Sequence, residues 1–166
     1  SAYAAGHVTA AIAPDAVTVG AYLGSDGLQP FIEAAHEAGR GLFVLVRTSN
    51  PSAGEVQDAA DAGGRPLYQH VAELVAGLGR AEGLVGQRGY SLLGAVVGAT
   101  YPDEARKLRE QMPEQIFLVP GYGAQGATAA DCAAAFRSDG TGAIVNASRA
   151  VLYAHEREQY SGMHWR

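Results

Sequence analysis

Residues 116–136 read IFLVPGYGAQGATAADCAAAF. An apolar run of strand length gives way to a turn nearly free of side chains, and the turn to an alanine-rich stretch suited to a helix. Thr128 stands where a helix N-cap is expected. The three parts make one βα unit. The glycines of the turn, Gly121, Gly123 and Gly126, let main-chain N–H groups approach a ligand closely. A helix starting just after them points its positive end at the same spot, which suggests an anion such as phosphate. Glycine-rich turns also arise simply to shorten a connection, and this stretch alone leaves both readings open.

The same grammar recurs along the chain. Apolar, β-branched runs occur at DAVTVG (15–20), GLFVLV (41–46), GAVVGA (94–99), IFLVP (116–120) and GAIVNA (142–147). Their near-continuous hydrophobicity predicts five parallel strands covered on both faces. Helical segments are predicted between them at 26–39, 65–79, 101–112 and 128–140, with Gly39 and Gly79 as left-handed caps and Pro66 and Pro102 at helix starts. Alternating strand and helix gives the α/β class with right-handed crossovers, in a single domain over residues 1–166. Two architectures fit: an open doubly wound sheet, or part of an eight-unit barrel. A whole barrel needs about 250 residues, so length alone favours the open sheet.

The 166 residues are 48% hydrophobic and carry a formal charge of −5, values that suit one soluble globular domain. The arginines are scattered and the balance is acidic, which argues against nucleic acid as a partner. The longest apolar runs fall well short of the roughly 20 residues of a membrane helix, and no charged-then-apolar leader opens the sequence, so a cytosolic protein is expected. The single cysteine, Cys132, is expected to be an inert, buried helix residue. The single lysine, Lys107, lies in the charged segment PDEARKLREQM. No metal-ligand spacing is seen among His7, His36, His70, His155 and His164.

In either architecture ligands gather at the carboxyl ends of the strands. The segments just past them, AYLGSDG, RTSNPS, TYPDE, GYGAQG and ASRA, are polar or glycine-bearing. Arg149 follows the last run, and its planar guanidinium suits two phosphate oxygens; pairing with a carboxylate is the structural alternative. Gln125, in the bare turn, offers a donor and an acceptor, enough to bridge a phosphate and a ring carbonyl. Ser49 is either a donor to a heterocycle or a turn serine ahead of Pro51. Asp26 reads as a helix cap.

Taken together, DAVTVGAYLGSDGLQPF, GLFVLVRTSNPSAGEVQD, GRPLYQHVAELV, GAVVGATYPDEARKLRE, FLVPGYGAQGATAAD and GAIVNASRAVLYA resemble orotidine 5′-phosphate decarboxylase of the longer bacterial type, in order from about residue 15 to 154. The resemblance implies a (β/α)8 TIM barrel, with this chain covering about five βα units, strands four to eight. It also implies a homodimer that converts orotidine monophosphate to uridine monophosphate without cofactor or metal. By resemblance Ser49 contacts the pyrimidine, Gln125 spans phosphate and pyrimidine, Arg149 grips the phosphate, and Gly123 lies in the loop lining the pocket.

The family's Asp-x-Lys-x-x-Asp motif does not occur in this sequence. SAYAAGH resembles the segment that follows that motif, so the chain is expected to be an internal portion lacking the first three units, with no catalytic residue of its own. The chemistry explains why this matters. Loss of carbon dioxide leaves a carbanion outside the ring π-system, which a positioned cation and proton donor must stabilise. Lys107 is expected on an outer helix, and arginine is too weak an acid to replace it. The competing reading is a non-catalytic phosphate- or nucleotide-binding α/β module with an open five-stranded sheet.

Overall fold

The computed structural model describes residues 14–156 and 160. Each apolar run becomes a strand: β1 (Ala16–Gly20), β2 (Gly41–Arg47), β3 (Leu93–Val97), β4 (Phe117–Val119) and β5 (Ala143–Val145). They form one parallel sheet whose spatial order is the chain order. After β1 comes α1 (Gly24–Glu37). After β2 come a 3-10 turn (Pro51–Ala53), α2 (Gly54–Gln57) and α3 (Leu67–Gly79). After β3, β4 and β5 come α4 (Pro102–Gln111), α5 (Ala129–Ala133) and α6 (Ser148–Leu152). With each strand added on the same side, right-handed crossovers carry the helices to one face, and α1, α3, α4 and α5 all pack into the same core. This is single winding, the arrangement of a barrel wall, and not the double winding of an open sheet.

The register shows it directly. Val19, Val44, Ala95 and Phe117 lie in one row across the sheet, and all four are buried. They pack with Leu28 and Ile32 of α1, Ala72 and Val75 of α3, and Ala105 and Leu108 of α4. A fully buried side chain of this size contributes about 1.5–3 kcal/mol. The next row, Gly20, Leu45, Val96, Leu118 and Ile144, points to the opposite face. There Leu45 is 41% and Ile144 51% exposed. The expectation that both faces are covered is therefore corrected: helices cover one face, and the apolar inner face is open at these positions. Continuous hydrophobicity reflects a barrel strand, whose inner residues are apolar because other strands, not helices, face them.

Helix ends follow local chemistry. Pro102 opens α4 at its first turn, and Gly39, with φ 60°, closes α1. Thr128 caps α5 in a reciprocal box with Asp131: the Thr128 hydroxyl accepts from the Asp131 N–H, and the carboxylate accepts from the Thr128 N–H. Three expectations need correction. Gly79 is not a left-handed cap; it is the last residue of α3, and an added Cβ would stand 2.6 Å from Gln115 Nε2 and 2.9 Å from Ser91 Oγ. Asp26 makes no cap bond and lies in the first turn of α1. The predicted helix over 128–140 stops at Ala133: the Ala134, Ala135 and Phe136 N–H groups donate three residues back, to Asp131, Cys132 and Ala133, and the Ala135 carbonyl also accepts from Arg109 Nε at 3.0 Å.

Arg109 anchors the amino-terminal end of the sheet. Nearly buried, it also donates to the carbonyls of Met112, Gln115 and Gly142 and stacks 3.5 Å from the Phe117 ring centroid. Burial pulls its pKa down to about 10, helped by the nearby Arg137 charge. Among the described residues no helix is long and apolar enough to cross a membrane. His36 and His70 lie within α1 and α3, and His70 pairs with Asp61 at 2.9 Å. His7 and His164 lie outside the described residues.

Candidate functional site

The carboxyl ends of the strands are stitched together by main-chain bonds. Gly98 N–H donates to the Arg47 carbonyl at 2.7 Å, Ala99 N–H to Pro120 at 2.8 Å, and Asn146 N–H to Val119 at 3.2 Å. These bonds draw the loops after β2, β3, β4 and β5 to one end of the sheet.

A cavity of about 450 Å³ opens there, lined by Ser49, Pro51, Thr100, Tyr101, Ala124, Gln125 and Arg149. A smaller one of about 140 Å³ adjoins it, lined among others by Gly121, Gln125, Asn146, Ser148 and Arg149. Three of the four residues singled out from sequence, Ser49, Gln125 and Arg149, thus share one cavity, and Gln125 and Arg149 line both. Arg149 is the only charged side chain among all these lining residues. Among the described residues no carboxylate lines either cavity, which makes the site suited to an anion. Gly121 sits where the loops meet: an added Cβ would lie 3.2 Å from Ser49 Cβ, 3.4 Å from Gln125 Oε1 and 3.4 Å from Thr100 Cγ2.

The glycines of the bare turn are explained by conformation. Gly121, Gly123 and Gly126 have φ of 114°, 70° and 95°, values that side-chain-bearing residues rarely adopt. The turn holds itself closed. Gly123 N–H donates to Ala127, Ala124 N–H to Tyr122, Gly126 N–H to Gly123 and Ala127 N–H to Gly121. Gly123 does not line either cavity, and its amide is already engaged. At the N-terminus of α5 the Thr128 and Asp131 N–H groups are engaged within the capping box, and the Asp131 carboxyl sits below the ordinary range because the Thr128 N–H and hydroxyl hold its charged form. Side chains, chiefly Arg149 and Gln125, carry the positive and hydrogen-bonding character of this site.

Thr100 and Tyr101 escaped the sequence reading, although the TYPDE loop that holds them was recognised as facing the ligand side. Thr100 Oγ1 is buried with no hydrogen-bond partner among the described residues. Arg47, 1% exposed, stacks on the Tyr101 ring that lines this cavity. Among the described residues no cluster of three or more His, Cys, Asp or Glu is placed to hold a metal ion.

Comparison with known proteins puts this geometry in context. A sequence profile of the orotidine 5′-phosphate decarboxylase / HUMPS family matches residues 1–161. An orotidine 5′-phosphate decarboxylase of Rhodopirellula baltica is 50% identical over 147 residues, which cover 89% of this chain and 48% of that protein. One of Deinococcus radiodurans is 47% identical over 154 residues, covering 93% and 54%. The solved structure of Leishmania donovani OMP decarboxylase superposes with a TM-score of 0.69 at 35% identity, covering 84% of this chain and 50% of that one. The chain spans about half the length of these relatives. The singly wound parallel sheet is accordingly a portion of a (β/α)8 barrel, and the chain belongs to the orotidine 5′-phosphate decarboxylase / HUMPS family.

Proposed function

We propose that this chain supplies the phosphate- and pyrimidine-binding part of an orotidine 5′-phosphate decarboxylase, which turns orotidine monophosphate into uridine monophosphate and carbon dioxide in pyrimidine biosynthesis. The observation that carries the reading is the shared cavity of Ser49, Gln125 and Arg149 at the carboxyl ends of the strands. Arg149 takes the phosphate through its guanidinium, Gln125 bridges phosphate and ring, and Ser49 donates to the pyrimidine. Gly123 shapes the turn beside them rather than donating its amide.

The chain's one lysine is not placed at the reacting carbon. Lys107 is exposed on α4, whose buried side carries Ala105, Leu108 and Arg109. Phosphate contacts remote from that carbon supply binding energy that lowers the barrier only when a catalytic group is present. Alone, the 166-residue chain binds nucleotide and does not turn over; the intact enzyme acts as a cytoplasmic homodimer without cofactor or metal. The uncovered apolar side chains Leu45 and Ile144 weigh against a free-standing open-sheet module, which covers both faces of its sheet.

Calorimetric titration with uridine monophosphate tests the reading. Arg149→Ala is expected to weaken binding by on the order of 10- to 100-fold, the worth of hydrogen bonds to a charged group. Equal affinity for both proteins overturns the site. Turnover by chain purified free of host enzyme overturns the claim that it is inactive alone.

A further inference from the structure

Arg47 ends β2 two residues before Ser49, is 1% exposed, and reaches the cavity through Tyr101, on which its guanidinium stacks. Its Nε donates to Glu104 Oε2 at 2.6 Å and its Nη2 to Glu104 Oε1 at 3.3 Å. Nη1 lies 2.7 Å from Asp58 Oδ1, outside hydrogen-bonding alignment, so that contact is ionic. The plane stacks on Tyr101, 3.9 Å from the ring centroid, and faces Tyr68 at 4.9 Å. Burial disfavours the charge, but Glu104 and Asp58 outweigh burial and raise the Arg47 pKa above its ordinary value.

These contacts reach three segments. Glu104 is in the first turn of α4, just past Thr100 and Tyr101; Asp58 ends α2; and the Arg47 carbonyl receives Gly98 N–H. The following residue is held too: Thr48 N–H donates to Gln57 Oε1 at 3.0 Å, and Gln57 Nε2 donates to Thr48 Oγ1 at 2.7 Å. Ser49 is thus suspended between two fixed residues and the bare backbone of Gly98. Tyr101, which lines the same cavity as Ser49, rests on the same guanidinium.

We propose that Arg47 is a positioning residue for the ring end of the nucleotide site: without touching ligand, it sets the distance between Ser49 and Tyr101. The phosphate end, on Gln125 and Arg149, lies in loops that Arg47 does not contact. The inference rests on the functional reading above and predicts a split that a general stabilising role does not produce. Loss of the planar, bidentate guanidinium affects recognition of the base and spares recognition of the phosphate.

The test is NMR titration of the chain with uridine monophosphate and, separately, with ribose 5-phosphate, which lacks the base. Arg47→Lys keeps the charge and loses the fork; Glu104→Gln removes the partner's charge from the part-exposed side. Each is expected to weaken uridine monophosphate by about 10-fold, the worth of one hydrogen bond, and ribose 5-phosphate by less than about 2-fold. Arg149→Ala weakens both. Equal losses for the two ligands, no loss in a folded variant, or failure of both variants to fold overturns the proposal while leaving the functional reading intact. Wild-type chain that binds neither ligand overturns the functional reading and this proposal with it.

Discussion

A methyl group added at Gly98 would stand 2.8 Å from Ser49 Cβ and 2.9 Å from its Cα and N. Gly98 is not among the glycines of positive φ, so space and not backbone conformation demands the missing side chain. Gly98→Ala is expected to cost about 1–3 kcal/mol through overpacking, read as a lower urea midpoint, and to weaken uridine monophosphate binding by shifting Ser49. An unchanged midpoint would show that the loop yields freely. The individual site residues differ in how far the sequence revealed them. That Ser49, Gln125 and Arg149 come together in one cavity was legible because the loops past parallel strands gather at one end of the sheet. Gly98 and Arg47 were not, because their importance lies in which backbone passes overhead and which carboxylate meets a buried charge, both set by strand register.

Elements were legible wherever the apolar period was long. The five strands, α3 and α4 fall within about two residues of their predicted bounds. Short pieces were lost: the 3-10 turn at Pro51–Ala53, α2 and α6 have too few residues to show a period. The alanine run after Thr128 misled in the other direction, since propensity is a weak guide and the chain tightens into three-residue turns past Ala133. The capping box makes α5 a measurable case. Asp131 has its pKa lowered in the folded chain by the Thr128 N–H and hydroxyl, so its stabilising contribution is present above the unfolded value, about 4, and fades as pH falls through the folded one. Thr128→Ala is expected to cost about 1 kcal/mol near pH 7. It should also move the Asp131 pKa, followed by NMR, upward toward its ordinary value. A cap of no consequence would leave both unchanged.

The molecule as a whole carries an asymmetry that hydrophobicity alone did not reveal. Apolar residues at both parities of a strand say only that neither face meets water; they do not say whether helices or other strands do the covering. Strand order decided it, and strand order follows from crossovers, not from composition. The uncovered face leads to a further expectation: the 166-residue chain should enhance the fluorescence of a hydrophobic dye, and Leu45→Lys with Ile144→Lys should lower the enhancement. An undiminished signal would place the dye elsewhere. The sequential sheet also bears on how the chain reaches its fold. Each strand pairs only with the strand before or after it, so assembly can proceed as the polypeptide emerges from the ribosome, with every new unit docking on one already in place. The widest closure, Leu42 onto Leu93, spans the α2–α3 segment and the glycine-spaced 77–91 connection and carries the greatest entropic penalty of the four pairings.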